Sequence, residues 1–335
     1  MTATMMHCPA CDLTAEDAAQ WCERCGEALE AVPAQEAAGD AAPAPMWRST
    51  AAQLTACLQC GRPEHTADGF CVHCGQRRSP NSIRSAIDLG PVAGCTDRGP
   101  RRKRNEDALA VGRYGTTTVA VICDGVASAT QSDDAAMAAV EAGIRVVLDE
   151  LASGKPAGSA AHTALTEAAA AAASVGVNYA ANPPACTYVA AIVTATEVTI
   201  SWVGDSRIYW WGPESIGCLT VDDCLAGRLA AQGVGADDPR YQAKHAYALD
   251  HWLGADSPTL DPHIETFTPP GPGLIVVCSD GLSRYLPQPA DLAATPMGTP
   301  AATAQALTQR AIDAGGVDNV SVAVLAYPPL EDGAP

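Results

Sequence analysis

The chain has 335 residues and a formal net charge of −18, with 38 acidic against 20 basic side chains. So acidic a chain repels the phosphates of nucleic acid and of anionic lipid, and we expect neither as a partner. The sequence has no run of about 18 apolar residues that could cross a membrane. Its first residues lack the basic-then-apolar pattern of a secretion signal. We therefore expect a soluble cytoplasmic protein.

Eight of the fourteen cysteines repeat one spacing twice. In each copy two C-x-x-C pairs stand ten residues apart, and a glycine follows the second pair. Four thiolates in two close pairs are the ligands of a closed tetrahedral zinc site, whereas a redox C-x-x-C occurs singly, near a βαβ pattern. The other six cysteines mostly lie in apolar runs, which indicates small buried side chains. The predicted ligands of two structural zinc ions are Cys8, Cys11, Cys22 and Cys25, and Cys57, Cys60, Cys71 and Cys74.

The charge of the ribbon segment decides between two kinds of partner. Residues 1–80 carry ten acidic and five basic side chains, and each four-thiolate zinc centre adds net negative charge. Binding to a phosphate backbone needs the opposite sign. We therefore expect the ribbons to dock a protein or to regulate the chain, and not to bind nucleic acid.

Composition divides the chain into five segments. An Ala/Pro-rich stretch and a second, shorter one without apolar periodicity predict linkers. We expect the main domain to keep its chemistry when residues 1–85 are removed. The predicted segments are a zinc ribbon at 1–30, a linker at 31–55, a zinc ribbon at 56–78, a linker at 79–88 and the main domain at 89–328.

The main domain does not alternate strand and helix as a doubly wound fold would. Short runs rich in β-branched residues predict strands, and two long Ala-rich stretches predict a helix pair. Strands in runs with paired helices indicate an α+β layered domain. The predicted strands are 92–95, 107–112, 117–123, 187–194, 198–203, 207–211, 274–278 and 319–326, and the predicted helices are 133–151, 159–180 and 300–314.

Acidic residues stand at the edges of four of these apolar runs. The strongest case is the run that ends at Asp124-Gly125, although a strand followed by Asp-Gly is by itself more often only a turn. The same arrangement recurs at Asn105-Glu106-Asp107, Ser279-Asp280-Gly281 and Asp318-Asn319. Carboxylates with few imidazoles suit Mg²⁺ or Mn²⁺ and not zinc. Four such strand ends predict a two-cation centre that activates a water and clamps a phosphoryl oxygen.

A basic run directly precedes the first acids. Residues 101–104 are all arginine or lysine in a strongly acidic chain. A solvated loop is the usual interpretation of such a run, but beside a metal centre an arginine can hold a phosphate with two hydrogen bonds. The chain has no G-x-S-x-G elbow and no P-loop. The residues therefore favour hydrolysis of a phosphate ester.

From about residue 93 to residue 327 the motifs resemble, in order, those of the bacterial metal-dependent type-2C (PPM) protein Ser/Thr phosphatases. The resemblance implies an α+β fold in which a β-sandwich of two antiparallel sheets is flanked by helices in α-β-β-α layers. The substrates would be phosphorylated proteins, the products of Ser/Thr kinases. The matching motifs are Thr96-Asp97-x-Gly99-x-x-Arg102-x-x-Asn105-Glu106-Asp107, Val121-x-x-Asp124-Gly125, Ala185-Cys186-Thr187, Val203-Gly204-Asp205-Ser206-Arg207, Leu219-Thr220-x-Asp222, Trp252-Leu253-Gly254, Cys278-Ser279-Asp280-Gly281-Leu282 and Asp318-Asn319-Val320-Ser321-Val322.

The resemblance also implies roles for the matched residues. Asp124 would bridge two Mn²⁺ or Mg²⁺ ions and so act in catalysis, and the Gly125 carbonyl would bind one of them. Asp280 and Asp318 would complete the shell of the other ion.

The remaining matched residues would surround this centre. Glu106 and Asp107 would bind metal or its waters, and Arg102 would hold the substrate phosphate during catalysis. Asp205 would serve a third, weaker metal site.

Three departures from the family pattern bear on the chemistry. Val126-Ala127-Ser128 stand where the family commonly has Met/His-Gly-Gly, so leaving-group protonation would fall to water. Asp223-Cys224 stand where the family commonly has His-Ser. Arg284 stands where the family often has an acid or amide. A guanidinium there would face the metals and leave the third site weak or empty, would pair with Asp205, or would turn to solvent.

These departures motivate an alternative function. A pseudophosphatase would keep the fold without turnover and act as a zinc-ribbon interaction or regulatory protein. Intact Asp124, Asp280 and Asp318 oppose that interpretation, because binding alone would not need all three. The sequence therefore favours the active enzyme.

Overall fold

The computed structural model describes the main domain almost throughout and the N-terminal segment in pieces. The chain divides into two compact units, Met1–Pro43 and Ala44–Pro335. In the first unit, strands β1 (Met5–His7), β2 (Thr14–Glu16) and β3 (Glu30–Ala31) form an antiparallel sheet in the order β2–β1–β3. The described residues are 5–7, 11, 14–16, 21–22, 24–26, 28, 30–31, 44–50, 72–73, 84–129, 131–177, 181–235, 237–257 and 259–329.

The second unit contains two six-stranded antiparallel sheets. Sheet I has the order β15–β11–β10–β8–β7–β4, and sheet II has the order β13–β12–β16–β17–β6–β5. The short strands β9 and β14 pair with each other. The strands are β4 (Met46–Ser49), β5 (Arg84–Asp88), β6 (Val92–Asp97), β7 (Ala108–Tyr114), β8 (Thr117–Cys123), β9 (Ala185–Cys186), β10 (Tyr188–Val193), β11 (Val198–Val203), β12 (Arg207–Trp211), β13 (Ile216–Cys218), β14 (Leu253–Gly254), β15 (His263–Phe267), β16 (Gly273–Cys278) and β17 (Val320–Tyr327).

Helices cover the outer faces of both sheets. The long pair α1 and α2 packs on sheet I, and α5 packs on sheet II. None of the described helices combines the length and the apolar composition needed to cross a membrane. The helices are α1 (Ser132–Ala152), α2 (Ala157–Gly176), α3 (Leu225–Ala231), α4 (Asp280–Ser283) and α5 (Pro300–Asp313), with 3-10 turns at Pro239–Gln242 and Pro289–Ala294.

Three apolar cores separate these layers, and the two-residue period of the strands divides side chains among them. In β8, Val119 and Val121 face α1 and α2, while Ala120 and Ile122 face the interior between the sheets. A strand buried on both faces reads as a continuous apolar run, which is why the central strands stand out in the sequence. The α-β-β-α sandwich expected from the resemblance is confirmed.

Two edge strands lie in segments that the sequence assigned to linkers. Strand β4 falls within 31–55 and pairs with β7, and strand β5 falls within 79–88 and pairs with β6. Thr50, which follows β4, exchanges two hydrogen bonds with the backbone of Leu109, at 3.1 and 3.3 Å. Both strands are short and half-exposed. They form because they pair with strands distant in sequence, and not because of a local apolar pattern. Each predicted linker segment therefore contains residues that belong to a sheet of the second unit.

Part of the zinc prediction can be followed in the structure. The Cys11 sulfur lies 3.4 Å from the Cys22 sulfur and 3.3 Å from the Cys25 sulfur. The three thiols lie close enough together to hold one metal ion. Five of the six cysteines outside the ribbons are buried, as expected, and Cys218 is half-buried. Five of the predicted zinc ligands lie outside the described residues: Cys8, Cys57, Cys60, Cys71 and Cys74.

Candidate active site

An open cleft lies where several of the acidic strand ends meet. Asp124 follows β8, Asp205 lies in the turn from β11 to β12, and Asp280 begins α4 directly after β16. Asp318 lies just before β17. The cleft thus brings together most of the metal and phosphate ligands that the sequence predicts. Its lining consists of Arg102, Glu106, Asp124, Gly125, Val126, Ala127, Thr187, Asp205, Leu249, Asp280 and Asp318.

The carboxylates of this cleft raise one another's pKa. Burial raises the pKa of Asp124 well above its ordinary value, and the nearby carboxylates of Asp107, Asp280, Asp205 and Asp318 raise it further. Burial also raises the pKa of Asp205 to about 7, with Asp280 contributing. Carboxylates crowded in this way need protons or cations between them. The cluster is therefore suited to divalent cations with oxygen ligands.

Asp107 lies buried beside the cleft and shows the same fit to a cation. Its Oδ2 accepts a hydrogen bond from the Ser279 hydroxyl at 2.8 Å. Its Oδ1 is buried and accepts no hydrogen bond within the described residues, and the nearby Ser321 hydroxyl pairs with Thr96 at 2.7 Å. Burial raises the pKa of Asp107 to about 7. A buried carboxylate oxygen without a donor is satisfied by a bound cation or by its waters.

The backbone at Asp124-Gly125 leaves no space for a side chain. A Cβ on Gly125 would lie 2.7 Å from the Glu106 carbonyl oxygen and 2.9 Å from the Ser132 Cβ. The segment is fixed from the other side by Thr187, whose backbone N–H donates to the Asp124 carbonyl at 2.8 Å and whose hydroxyl accepts from the Asp124 N–H at 3.1 Å. Glycine at position 125 thus allows the close approach of the strand end to the Glu106 loop.

Two arginines converge on Asp318. Arg102 Nη2 lies 2.6 Å from Asp318 Oδ2, and Arg284 Nη2 lies 3.3 Å from the same oxygen. Arg284 also pairs with Asp280, four residues earlier on the same turn. Of the orientations that the sequence left open for Arg284, the structure shows the one that faces the acids, and its described ion pairs are with Asp280 and Asp318. Arg284 directly follows the short helix α4, and the spacing of four residues places it one helical turn from Asp280.

Asn319 positions the loop that carries Arg102 and Glu106. Its side-chain oxygen accepts from the Glu106 N–H at 2.8 Å. Its amide group donates to the carbonyls of Arg98 and Arg104, at 2.7 and 2.8 Å. The sequence placed Asn319 in a motif without assigning a role, because these contacts join residues more than 200 positions apart. Which atoms Asn319 contacts therefore depends on the fold and not on the local sequence pattern.

Ser132, at the start of α1, makes a contact with Glu106 that the sequence did not indicate. Its hydroxyl donates to Glu106 Oε1 at 3.0 Å. One oxygen of Glu106 is therefore oriented by the protein, while the carboxylate still lines the cleft. No motif contained Ser132, since nothing local distinguishes it from the other polar residues before the helix.

The departure at Asp223 has a structural role beside Asp205. Asp223 Oδ2 accepts from the Gly204 N–H at 2.8 Å, and its Oδ1 lies 2.8 Å from His263 Nε2. The His263 ring stacks on Trp202, with ring centroids 4.6 Å apart. Gly204 has a φ of +107°, which favours glycine. Asp223 therefore fixes the turn that presents Asp205 to the cleft.

Comparison with protein families agrees with this geometry. The model described as protein phosphatase 2C matches residues 100–311, which is more than half of the chain. The chain belongs to the protein phosphatase 2C family. A double zinc ribbon model matches residues 8–75, which include all eight predicted zinc ligands. The enzyme class that the sequence predicts for this protein phosphatase 2C, a protein serine/threonine phosphatase, is confirmed by the family.

Solved structures show the same fold as this protein phosphatase 2C. The serine/threonine phosphatase PstP/Ppp of Mycobacterium tuberculosis is 20% identical, with a TM-score of 0.54 over 74% of this chain and 99% of that one. Stp1 of Staphylococcus aureus is 23% identical, with a TM-score of 0.55 over 72% and 96%. The catalytic domain of PstP, in complex with two manganese ions, is 21% identical, with a TM-score of 0.53 over 72% and 99%. No curated protein matches the chain by sequence.

Proposed function

We propose that the main domain hydrolyses phosphoserine and phosphothreonine in proteins at a centre of two Mn²⁺ or Mg²⁺ ions. The observation that carries the proposal is the group of carboxylates that meets around Asp124 in and beside one cleft, where each neighbour raises the pKa of that residue. Only cations or protons relieve such crowding. The manganese-bound PstP domain, which shares the fold, supports the choice of metal. When bound, two such ions activate a water and clamp a phosphoryl oxygen.

The residues of the chain divide the remaining work. Asp124 would bridge the ions and the Gly125 carbonyl would bind one of them. Asp280 and Asp318 would hold the second ion. Glu106, oriented by Ser132, would bind metal or its waters together with Asp107.

Arg102 and the apolar wall act on the substrate. Arg102 lines the cleft, and its planar guanidinium would hold the substrate phosphate with paired hydrogen bonds. Val126 and Ala127 line the cleft where the resemblance would place a proton donor. Neither side chain carries a proton to donate, so the leaving alkoxide would take its proton from water. Asp205, fixed through Gly204 and Asp223, would serve a third, weaker metal.

The ribbons and the cellular setting complete the proposal. The substrates would be proteins phosphorylated by Ser/Thr kinases, and the acidic ribbon segment would dock a protein. Metal analysis after brief EDTA treatment is expected to give two zinc ions per chain. Disulfides in place of zinc would contradict the ribbon assignment. A cytoplasmic location stays a prediction.

The test is hydrolysis of a phosphoserine peptide with and without Mn²⁺. The Asp124→Asn variant is expected to lose more activity than the roughly 10- to 100-fold that the loss of an outer-shell partner costs, because both ions lose a ligand. Asp149→Asn is a matched control, because Asp149 lies on α1 with its side chain 64% exposed. Retained turnover in Asp124→Asn would contradict the proposal. Absence of turnover in the wild type would favour the pseudophosphatase, which the complete carboxylate cluster opposes.

A further inference from the structure

The loop of residues 98–104 is fixed to the acid cluster at its base. The Asn319 amide group donates to the carbonyls of Arg98 and Arg104, at 2.7 and 2.8 Å, so one side chain holds both ends of the loop. Gly99, with a φ of +73°, lies so near Asp318 that a Cβ would be 2.2 Å from its carbonyl oxygen. The loop therefore presents its side chains from a defined place beside the cleft.

The four cations at the end of this loop have different surroundings. Arg102 lines the cleft and pairs with Asp318. Arg104 forms an ion pair with Asp133 at 3.1 Å. Arg101 and Lys103 are exposed, and neither has an ion pair or a side-chain hydrogen bond within the residues that the structure describes. These two exposed charges, one residue on either side of the cleft-lining Arg102, are therefore available to a ligand.

Arg101 and Lys103 differ from most other described cations of the chain, which have acidic partners. Acidic side chains outnumber basic ones by 38 to 20, and most described arginines have acidic partners. The described pairs outside this loop include Arg84–Asp97, Arg145–Asp149, Arg207–Asp222, Arg228–Asp250, Arg240–Asp238 and Arg284–Asp280.

We propose that Arg101 and Lys103 bind acidic side chains that flank the phosphorylated residue of a protein substrate. This inference rests on the proposed function and narrows its substrate class to phosphoproteins with acidic sequence around the phosphate. The Cα atoms of Arg101 and Lys103 each stand one residue from that of Arg102, about 3.8 Å away. When Arg102 holds the phosphate, the two cations are placed to meet residues near it in the peptide. Their positive charge also offsets locally the repulsion between an acidic peptide and a chain of charge −18.

The test compares three phosphoserine peptides of equal length whose flanking residues are glutamate, alanine or lysine. For the wild type, kcat/KM is expected to be about threefold to tenfold higher for the glutamate peptide than for the alanine peptide, as for exposed charge pairs. The lysine peptide is expected to be the poorest. The preference should shrink at high ionic strength, because exposed charges are screened.

The double variant Arg101→Gln/Lys103→Gln is expected to bring the glutamate-to-alanine ratio close to one. Hydrolysis of the alanine peptide and of p-nitrophenyl phosphate should stay unchanged. The double variant Arg145→Gln/Lys155→Gln removes the same charge from exposed positions on and after α1, and it should keep the wild-type preference.

Each result decides the inference. The inference would be overturned if the wild type had the same kcat/KM for the glutamate and alanine peptides, or if both double variants lost the preference equally. Either result would leave the proposed function intact. If none of the three peptides were hydrolysed with Mn²⁺ present, the proposed function itself would be overturned, and this inference with it.

Discussion

Arg102 Nη2 lies 2.6 Å from Asp318 Oδ2, so the residue predicted to hold phosphate pairs with a residue predicted to hold metal. The other oxygen of Asp318 accepts from the Asn319 N–H at 2.9 Å. Both oxygens of this carboxylate thus have protein donors. The proposed phosphate binding and metal binding would therefore be linked through one side chain, because an ion at Asp318 would compete with Arg102.

Replacing Arg102 by alanine tests this link. We expect KM for a phosphopeptide to rise by about 10- to 100-fold, since a hydrogen bond to a charged group contributes roughly 1.5–3 kcal/mol. The Mn²⁺ concentration for half-maximal activity should fall, because Asp318 is released. Both are measured by steady-state kinetics, with Arg145→Ala as the control for an exposed arginine on α1. An unchanged KM with a shifted Mn²⁺ requirement would mean that Arg102 acts on the metals alone.

Arg284 is expected to oppose metal binding. Its guanidinium contacts Asp280 and lies 3.3 Å from Asp318 Oδ2, and it cannot lose its charge. Arg284→Asp should lower the Mn²⁺ concentration for half-maximal activity, and calorimetry should show tighter Mn²⁺ binding. Arg145→Asp makes the same charge change at a distant site. The same Mn²⁺ response in the wild type and Arg284→Asp would show that Arg284 does not compete with the ions.

Metal-free protein is expected to lose stability as the pH rises through about 7. Burial raises the pKa of Asp107 and of Asp205 to about 7, whereas an unfolded carboxylate has a pKa of about 3.9. The folded state therefore binds these protons more tightly, and their stabilising contribution is complete below about pH 4 and is lost as the pH passes through 7.

Urea unfolding between pH 5 and pH 8 measures this effect after dialysis against buffer free of Mn²⁺ and Mg²⁺. Asp107→Asn should flatten the fall in the free energy of unfolding, since one such group contributes at most about 1.4 kcal/mol per pH unit. Added Mn²⁺ should stabilise the wild type more at pH 8 than at pH 5, because protons and the ion compete. A slope equal in the wild type and Asp107→Asn would show that this carboxylate does not hold its proton.

Two truncations test the corrected boundary of the main domain. Removal of residues 1–43 should leave Tm of the domain nearly unchanged, because that segment forms a separate unit. Removal of residues 1–83 takes away β4, its pairing with β7 and the Thr50–Leu109 hydrogen bonds. Calorimetry should show a Tm lower by several degrees, as about 1 kcal/mol shifts Tm by roughly 2–4 °C in domains of 150–250 residues. Equal Tm values would mean that β4 adds no stability.

The central strands and the acid cluster were predictable because their signals are local. The predicted strand 198–203 coincides with β11, since burial of both faces leaves an uninterrupted apolar run. Asp124 stood out because a carboxylate and a glycine end such a run. Asp280, which is followed by Gly281, was recognisable for the same reason, and Asp107 was recognisable because it directly precedes the apolar run of β7.

The edges and the contacts between acids were not predictable in this way. Strands β4 and β15 lie at the edges of sheet I, and each is held by hydrogen bonds to one neighbouring strand. Their exposed residues interrupt the apolar run by which a central strand is recognised. The roles of Asn319 and Ser132 depend on which distant atoms the fold brings near them. The partners of Arg284 were not predictable for the same reason, because its spacing from Asp280 does not determine the direction of the side chain.

Strands β4 and β5 lie at the outer edges of opposite sheets, and the second ribbon motif falls between them in the sequence. Neither strand contributes a residue to the cleft. Segment 51–83 is therefore joined at both ends to strands that lie outside the cleft lining. Evolution could replace the inserted ribbon there by another binding domain. The enzyme would then bind a different partner protein while its chemistry stayed the same.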